Sequence, residues 1–155
     1  MQLDEIWQLL EQSAPLSQLI EVLNELEESD FEQLGEALSQ LGPQERFHAV
    51  QVLSEAGNPE AMAALEFLFE DPEEEIRARA LEGYYEFGSD EAQLERLGRL
   101  LQADPSERVR CSAVLALAVT GQPEARRLLE GAAEEDPFPS VRRQAQQALA
   151  RFAWR

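Results

Sequence analysis

Sliding the chain over itself by 31 to 33 residues brings two separate marks into register, and that periodicity restricts the fold more than any other feature. Asp-Pro pairs stand at Asp71-Pro72, Asp104-Pro105 and Asp136-Pro137, 33 and 32 residues apart. Each is followed at nearly constant distance by an apolar-arginine pair, Ile76-Arg77, Val109-Arg110 or Val141-Arg142. Three residues beyond each arginine is an alanine (Ala80, Ala113, Ala145), and four beyond that is Tyr84, Leu117 or Leu149. A second mark, GNPEA at 57–61, GSDEA at 88–92 and GQPEA at 121–125, lies between these blocks. Two marks sharing one period indicate a tandem array of supersecondary units that bury their apolar faces by stacking on one another.

Each unit reads as a pair of helices. An aspartate can accept from the unpaired N–H groups of a helix start, and proline at the first helical position gives up only a donor that would be unpaired anyway. Asp71, Asp104 and Asp136 are therefore expected to cap the helices that follow, with Glu74 and Glu107 completing capping boxes. Ile76, Ala80, Gly83, Tyr84 and Phe87 fall on one helical face. Gly88 and Gly121 suit the left-handed residue that ends a helix. The other helix of each unit begins near Pro59, Asp90 or Pro123. It carries Leu65, Phe67, Leu68 and Phe69 in the first case and Leu94, Leu97, Leu100 and Leu101 in the second. Strand signals are missing.

The first third is helical without the repeat. LDEIWQLLEQ places Leu3, Ile6, Trp7 and Leu10 on one stripe, Pro15 breaks it, and helices over 17–28 and 30–41 follow. The outermost layer of a stack has no neighbour to cover it, so residues 1–42 are expected to act as atypical capping helices. The helix over 43–56 is a degenerate repeat in which Arg46, Ala49 and Leu53 align, with Glu45 where Ile or Val belongs. The expectation is one all-α domain over 1–155, with repeats over 43–155, made of about ten helices in about five layers.

Charge is distributed unevenly. The chain has a net charge of −18, with 25 acids against five arginines in residues 1–104 and six acids against eight arginines in 105–155; lysine is absent. Such a field opposes nucleic acid and anionic membrane and speeds encounter with a basic partner. No apolar run approaches the roughly 20 residues of a membrane span, and the start is acidic where a signal peptide is basic, so a soluble cytoplasmic protein is expected.

Catalytic constellations are poorly supplied. Cys111 and His48 are the only cysteine and histidine. They lie two repeats apart, roughly 20 Å at helix spacings of about 8–10 Å, where a nucleophile and its base must meet at about 3 Å. A metal needs three or four converging ligands. Glu73, Glu74 and Glu75 point about 100° apart on a helix and instead suit its positive N-terminus. No catalytic residue, cofactor or metal site is therefore expected, and Cys111 reads as a small apolar filler.

The pattern DPxxx(V/I)RxxAxxx(L/Y), closed by glycine over residues 43–155, resembles the HEAT-like repeats, in particular the short bacterial variety named for phycobilisome lyases. The resemblance implies a right-handed α-α superhelix whose Val-Arg helices line the concave side. It also implies a structural ladder of Asp71, Asp104 and Asp136 with Arg77, Arg110 and Arg142. The His-Glu pairs of iron-binding HEAT-type oxygenases are missing, and the acidity opposes the basic groove of HEAT-like alkylpurine glycosylases.

The function implied is a non-enzymatic scaffold that binds a partner segment on its concave face. The positions turned outward there are Phe47, His48, Gln51, Ser54 and Glu55; Ala78, Arg79, Glu82, Tyr85 and Glu86; Cys111, Ser112, Leu115, Ala118 and Val119; and Arg143, Gln144, Gln147, Ala150 and Arg151. Among them Phe47, His48, Gln51, Arg79, Glu82, Tyr85, Glu86, Leu115 and Val119 are the candidate contacts for a basic or amphipathic protein segment. An alternative is a lyase-like or chaperone factor for a chromophore-bearing protein. A third is head-to-tail self-assembly, the acidic first half meeting Arg142, Arg143, Arg151 and Arg155. Trp7, Phe152 and Trp154 are expected to seal the two ends.

Overall fold

A computed structural model describes the chain apart from residues 1, 13, 16, 17, 19, 20, 23, 24, 26, 58, 87, 89 and 155, and apart from the side chains of residues 2, 3, 7, 11, 28, 29, 31, 32 and 60. The described residues form nine α-helices and no strand: α1 (Gln2–Glu11), α2 (Glu28–Leu38), α3 (Pro43–Ala56), α4 (Pro59–Glu66), α5 (Glu74–Glu86), α6 (Leu94–Ala103), α7 (Glu107–Thr120), α8 (Pro123–Glu135) and α9 (Pro139–Arg151). A 3-10 turn, Glu91–Gln93, leads into α6. Half of the residues of the helix expected at 17–28 lie outside the described residues, as do Phe87 and the side chains of Leu3 and Trp7.

The chain divides into two compact units, Met1–Phe87 and Gly88–Arg155. In the first, the arginine-bearing helices α3 and α5 pack side by side, as do their companions α2 and α4, and α4 joins α3 and α5. In the second, α7 packs along α9 and α6 along α8, with α6 paired to α7 and α8 to α9. The repeat in the sequence is thus a repeat of helix pairs. The recurring apolar positions explain why: Ile76, Val109 and Val141, and Ala80, Ala113 and Ala145, are all at most 2% exposed. Burying each of the larger side chains stabilises the stack by about 1.5–3 kcal/mol.

In the first unit Ile6 and Leu10 of α1 join Leu34, Leu38, Val52 and Leu53 in the core, and Phe69 meets Tyr84 edge-on with ring centres 5.0 Å apart. Gly83 sets how closely α3 and α5 approach. A Cβ there would lie 2.1 Å from Ser54 Oγ and 2.8 Å from Ser54 Cβ. Phe67 departs from expectation. The helix expected from Pro59 includes it, but α4 ends at Glu66 and the next residues form turns, so its side chain is 43% exposed and lies against the bare Cα of Gly35.

The aspartates also work differently from the expectation. Asp104 and Asp136 end the preceding helices α6 and α8, while α7 is capped by Ser106 and α9 starts at Pro139 after Phe138. Instead of capping, Asp71, Asp104 and Asp136 close tight turns. Each Oδ1 accepts the N–H two residues on, from Glu73, Ser106 and Phe138, at 2.9, 2.9 and 3.0 Å. Pro72, Pro105 and Pro137 sit inside these turns, where their fixed φ helps. Glu74 and Glu107 are first residues of helices and not partners in a capping box. At the far end, Gly121 closes α7 with φ of +64°, a left-handed conformation that favours glycine.

Candidate protein-docking face

The side chains that recur form a clasp between repeats. Arg77, Arg110 and Arg142 donate to the backbone carbonyls of Asp71, Asp104 and Asp136 at 2.8, 2.6 and 2.5 Å, tying each helix to the turn before it. The carboxylates of Asp71 and Asp136 reach the neighbouring repeat. Arg46 Nε and Nη2 donate to the two oxygens of Asp71 at 2.7 and 3.2 Å, and its Nη1 donates to the Leu41 carbonyl at 2.6 Å. In the second unit Arg110 Nη1 donates to Asp136 at 2.9 Å. Both carboxylates are buried; the two-point grip of Arg46 with its bond to the Leu41 carbonyl, and the second bond of Arg110 to the Asp104 carbonyl, are what make the desolvated charges tolerable. Arg46 was not among the ladder residues expected from the resemblance. Its alignment with Arg77 and Arg110 was the available signal.

The outward side of α3 and α5 carries two depressions. Between the C-terminal halves of these helices is a shallow cleft of about 210 Å³ bordered by Gln51, Ser54, Glu55, Arg79, Glu82 and Glu86, with Gly83 in its floor. Closer to the helix starts, a second depression of about 280 Å³ is bordered by Phe47, Glu73 and Glu75. Arg79 stands where the two meet. Its guanidinium lies 5.7 Å from the centre of the half-buried Phe47 ring and donates to Glu75 at 3.2 Å. Phe47, Gln51, Arg79, Glu82 and Glu86 are therefore brought to one face.

The electrostatics of this face are unfavourable to the helices that carry it. Glu55 and Glu86 lie in the last turns of α3 and α5, neither of which contains a basic residue. The last turn already carries the negative end of the helix dipole. Glu82 and Glu86 are also one turn apart, a like-charge spacing that destabilises a helix. Tyr85 registers the result: burial, then Glu82, then Glu86, push its phenol above the ordinary value of 10.0.

His48 is placed differently. It is half buried, and its Nε2 lies 3.1 Å from the Ala14 carbonyl, so its ring is turned to the chain after α1 instead of outward. Ala78, Ser112 and Ala118, expected to face out, are buried. An arginine-bearing helix packs against its companion and against its neighbour in the row, so its buried stripe is wider than a helix pair alone would give.

In the second unit the corresponding positions Leu115 and Val119 on α7 are half buried. Cys111 Sγ lies 3.9 Å from Ser140 Oγ, and Ser140 in turn donates to Glu107. Burial pushes the Cys111 thiol up, against the lowering effect of the Ser140 hydrogen bond and with Glu107 and Asp136 adding to the rise. Arg143, Gln147, Ala150 and Arg151 are exposed on α9, and the Trp154 indole donates to the Leu149 carbonyl at 3.2 Å. No three His, Cys, Asp or Glu side chains among the described residues converge as metal ligands, and no described helix is long and apolar enough to cross a membrane.

Helix pairs repeating every 31–33 residues and clasped by buried Arg-Asp pairs define an α-helical repeat protein. The family model for HEAT repeats matches residues 63–150, more than half of the chain, and the protein belongs to the HEAT-repeat family. The match is to HEAT repeats in general and does not single out the phycobilisome-lyase variety. No characterised protein and no solved structure matches the chain. HEAT repeats are generally protein-interaction scaffolds.

Proposed function

We propose that the protein is a non-enzymatic interaction module and that the outward face of α3 and α5 receives a cationic segment of a protein partner. The observation that carries this reading is the placement of Glu55 and Glu86 at the negative ends of two adjacent helices, beside Glu82 and a cleft of about 210 Å³. Folding alone disfavours that arrangement, and a cation supplied from outside relieves it. Phe47, half buried beside the Arg79 guanidinium, borders the neighbouring depression, and the half-buried Tyr85 lies in the field of Glu82 and Glu86, which suits an arginine-bearing or amphipathic segment. Exposed ion pairs contribute only about 0–1 kcal/mol each, so the aromatic anchors supply most of the affinity and the carboxylates supply orientation and rate.

The test uses the tagged full-length chain in its native cells, with bound proteins identified by mass spectrometry. Glu82→Arg and Glu86→Arg combined with Tyr85→Ala should lose the specific partner by tenfold or more, about 1.4 kcal/mol or greater. An unchanged set of partners would overturn the assignment of this face.

A further inference from the structure

We propose that α9 of a second copy of this chain docks on the α3–α5 face; the proposal rests on reading that face as a docking surface and names one of its occupants. Helix α9, PSVRRQAQQALAR, contains no acidic residue. Arg143 and Arg151 are exposed on it, eight residues and so about 12 Å apart along one side. Neither makes a hydrogen bond or ion pair with a described residue. Several other arginines of the second unit are already engaged by carboxylates: Arg99 with Glu95, Arg110 with Asp136 and Arg126 with Glu130. On the receiving face Glu55 and Glu86 likewise have no cationic partner among the described residues.

The charge partition selects which parts of two copies meet. Residues 1–87 hold 21 acids and three arginines, and residues 88–155 hold ten of each, so the net −18 resides in the first unit. First units repel one another, whereas α9 is attracted to any of them. At about 0.15 M salt the screening length is about 8 Å, which suppresses the long-range repulsion and leaves contact pairs. The chain also shows how it holds a guanidinium. Arg79 lies over Phe47 beside Glu75, and Arg110 lies 5.4 Å from the Phe138 ring centre while bonded to Asp136. On the receiving face the half-buried Tyr85 lies in the field of Glu82 and Glu86, within one turn of the exposed Glu86.

Sedimentation of the full-length chain at about 0.15 M salt, from about 10 μM to about 1 mM, should show mass above the 17.5 kDa monomer that disappears at about 1 M salt. Arg143→Glu with Arg151→Glu, and separately Glu82→Arg with Glu86→Arg, should each be monomeric. Mixing those two variants should restore association, because each then presents the charge the other lacks. That mixing arm distinguishes a lost contact from a misfolded chain, with circular dichroism of each variant as a second check. A wild type that stays at 17.5 kDa throughout, association indifferent to either reversal, or failure of two folded variants to associate on mixing would overturn the second-copy proposal. Partner proteins still lost from the Glu82, Glu86 and Tyr85 variant would leave the docking face itself standing in that case.

Discussion

In the first unit a guanidinium crosses from α3 to the turn before α5, Arg46 to Asp71 at 2.7 Å; in the second, one crosses from α7 to the turn before α9, Arg110 to Asp136 at 2.9 Å. Around that common clasp the surfaces diverge. Glu82 and Glu86 on α5 correspond, 33 residues on, to Leu115 and Val119 on α7. One unit carries the whole net charge and the other is neutral. The repeated residues answer to stacking, which every layer needs equally, and the residues that do not repeat are where an individual layer can acquire a partner.

Breaking the clasps tests the shared half of that comparison. Asp71→Ala would remove both carboxylate bonds from the Arg46 guanidinium, whose side chain is 10% exposed, leaving it, among the described residues, only the Leu41 carbonyl, and should destabilise the first unit by about 3–5 kcal/mol. Asp136→Ala removes one hydrogen bond from Arg110, which keeps its place over Phe138 and its bond to the Asp104 carbonyl, so a smaller loss of about 2–3 kcal/mol is expected. Urea unfolding gives the totals, and amide exchange shows which unit opens. Equal losses below about 1 kcal/mol would mean the clasps contribute little.

The next largest effect separates two glycines. Gly83→Ala drives a methyl into Ser54 and should cost about 1–3 kcal/mol, with part recovered by Ser54→Gly in the same chain. Gly131→Ala on α8 meets nothing within 4 Å and should stabilise by about 0.5–1 kcal/mol through helix propensity. If both substitutions move the urea midpoint the same way, α3 and α5 do not approach as closely as described.

The contrast between clasp and surface also explains what could be read in the sequence. The period, the buried Ile76, Val109 and Val141, and the glycine that ends α7 depend on local spacing that every layer repeats, so comparing the chain with itself exposes them. Asp71, Asp104 and Asp136 illustrate a limit. The same residue type accepts N–H groups in a turn or at a helix start, and which one holds depends on where the preceding helix stops. Arg46 illustrates another, because its neighbour Glu45 obscured the repeat while the arginine kept its position. Burial of Ala78 and Ala118, and the turn of His48 toward Ala14, depend on which helices lie alongside, and the period does not encode that.

Removing the frustrated charges should give a small gain of stability with a loss of function. Glu55→Gln with Glu86→Gln should each stabilise the first unit by about 0.3–1 kcal/mol at low salt, and less as salt is raised, while weakening partner capture. Loss of stability on these changes would show that the carboxylates are satisfied within the fold and need no cation from outside.

The smallest effect is the most local and concerns Tyr85, which the second unit replaces with Ala118. Its phenol is raised above 10.0 by burial first and by Glu82 and Glu86 after it. A folded value above the unfolded one means that the folded chain holds the proton longer. The associated stability is fully present below about pH 10 and is lost as pH rises through the folded value. Tyrosine-labelled NMR resolves Tyr85 from the buried Tyr84. Glu82→Gln with Glu86→Gln should move the Tyr85 midpoint down while leaving it above the ordinary phenol value, because burial remains. A midpoint unmoved by the double substitution would mean the carboxylates do not act on the ring, and Tyr85 would then be an aromatic anchor without the acidic setting that favours a cation.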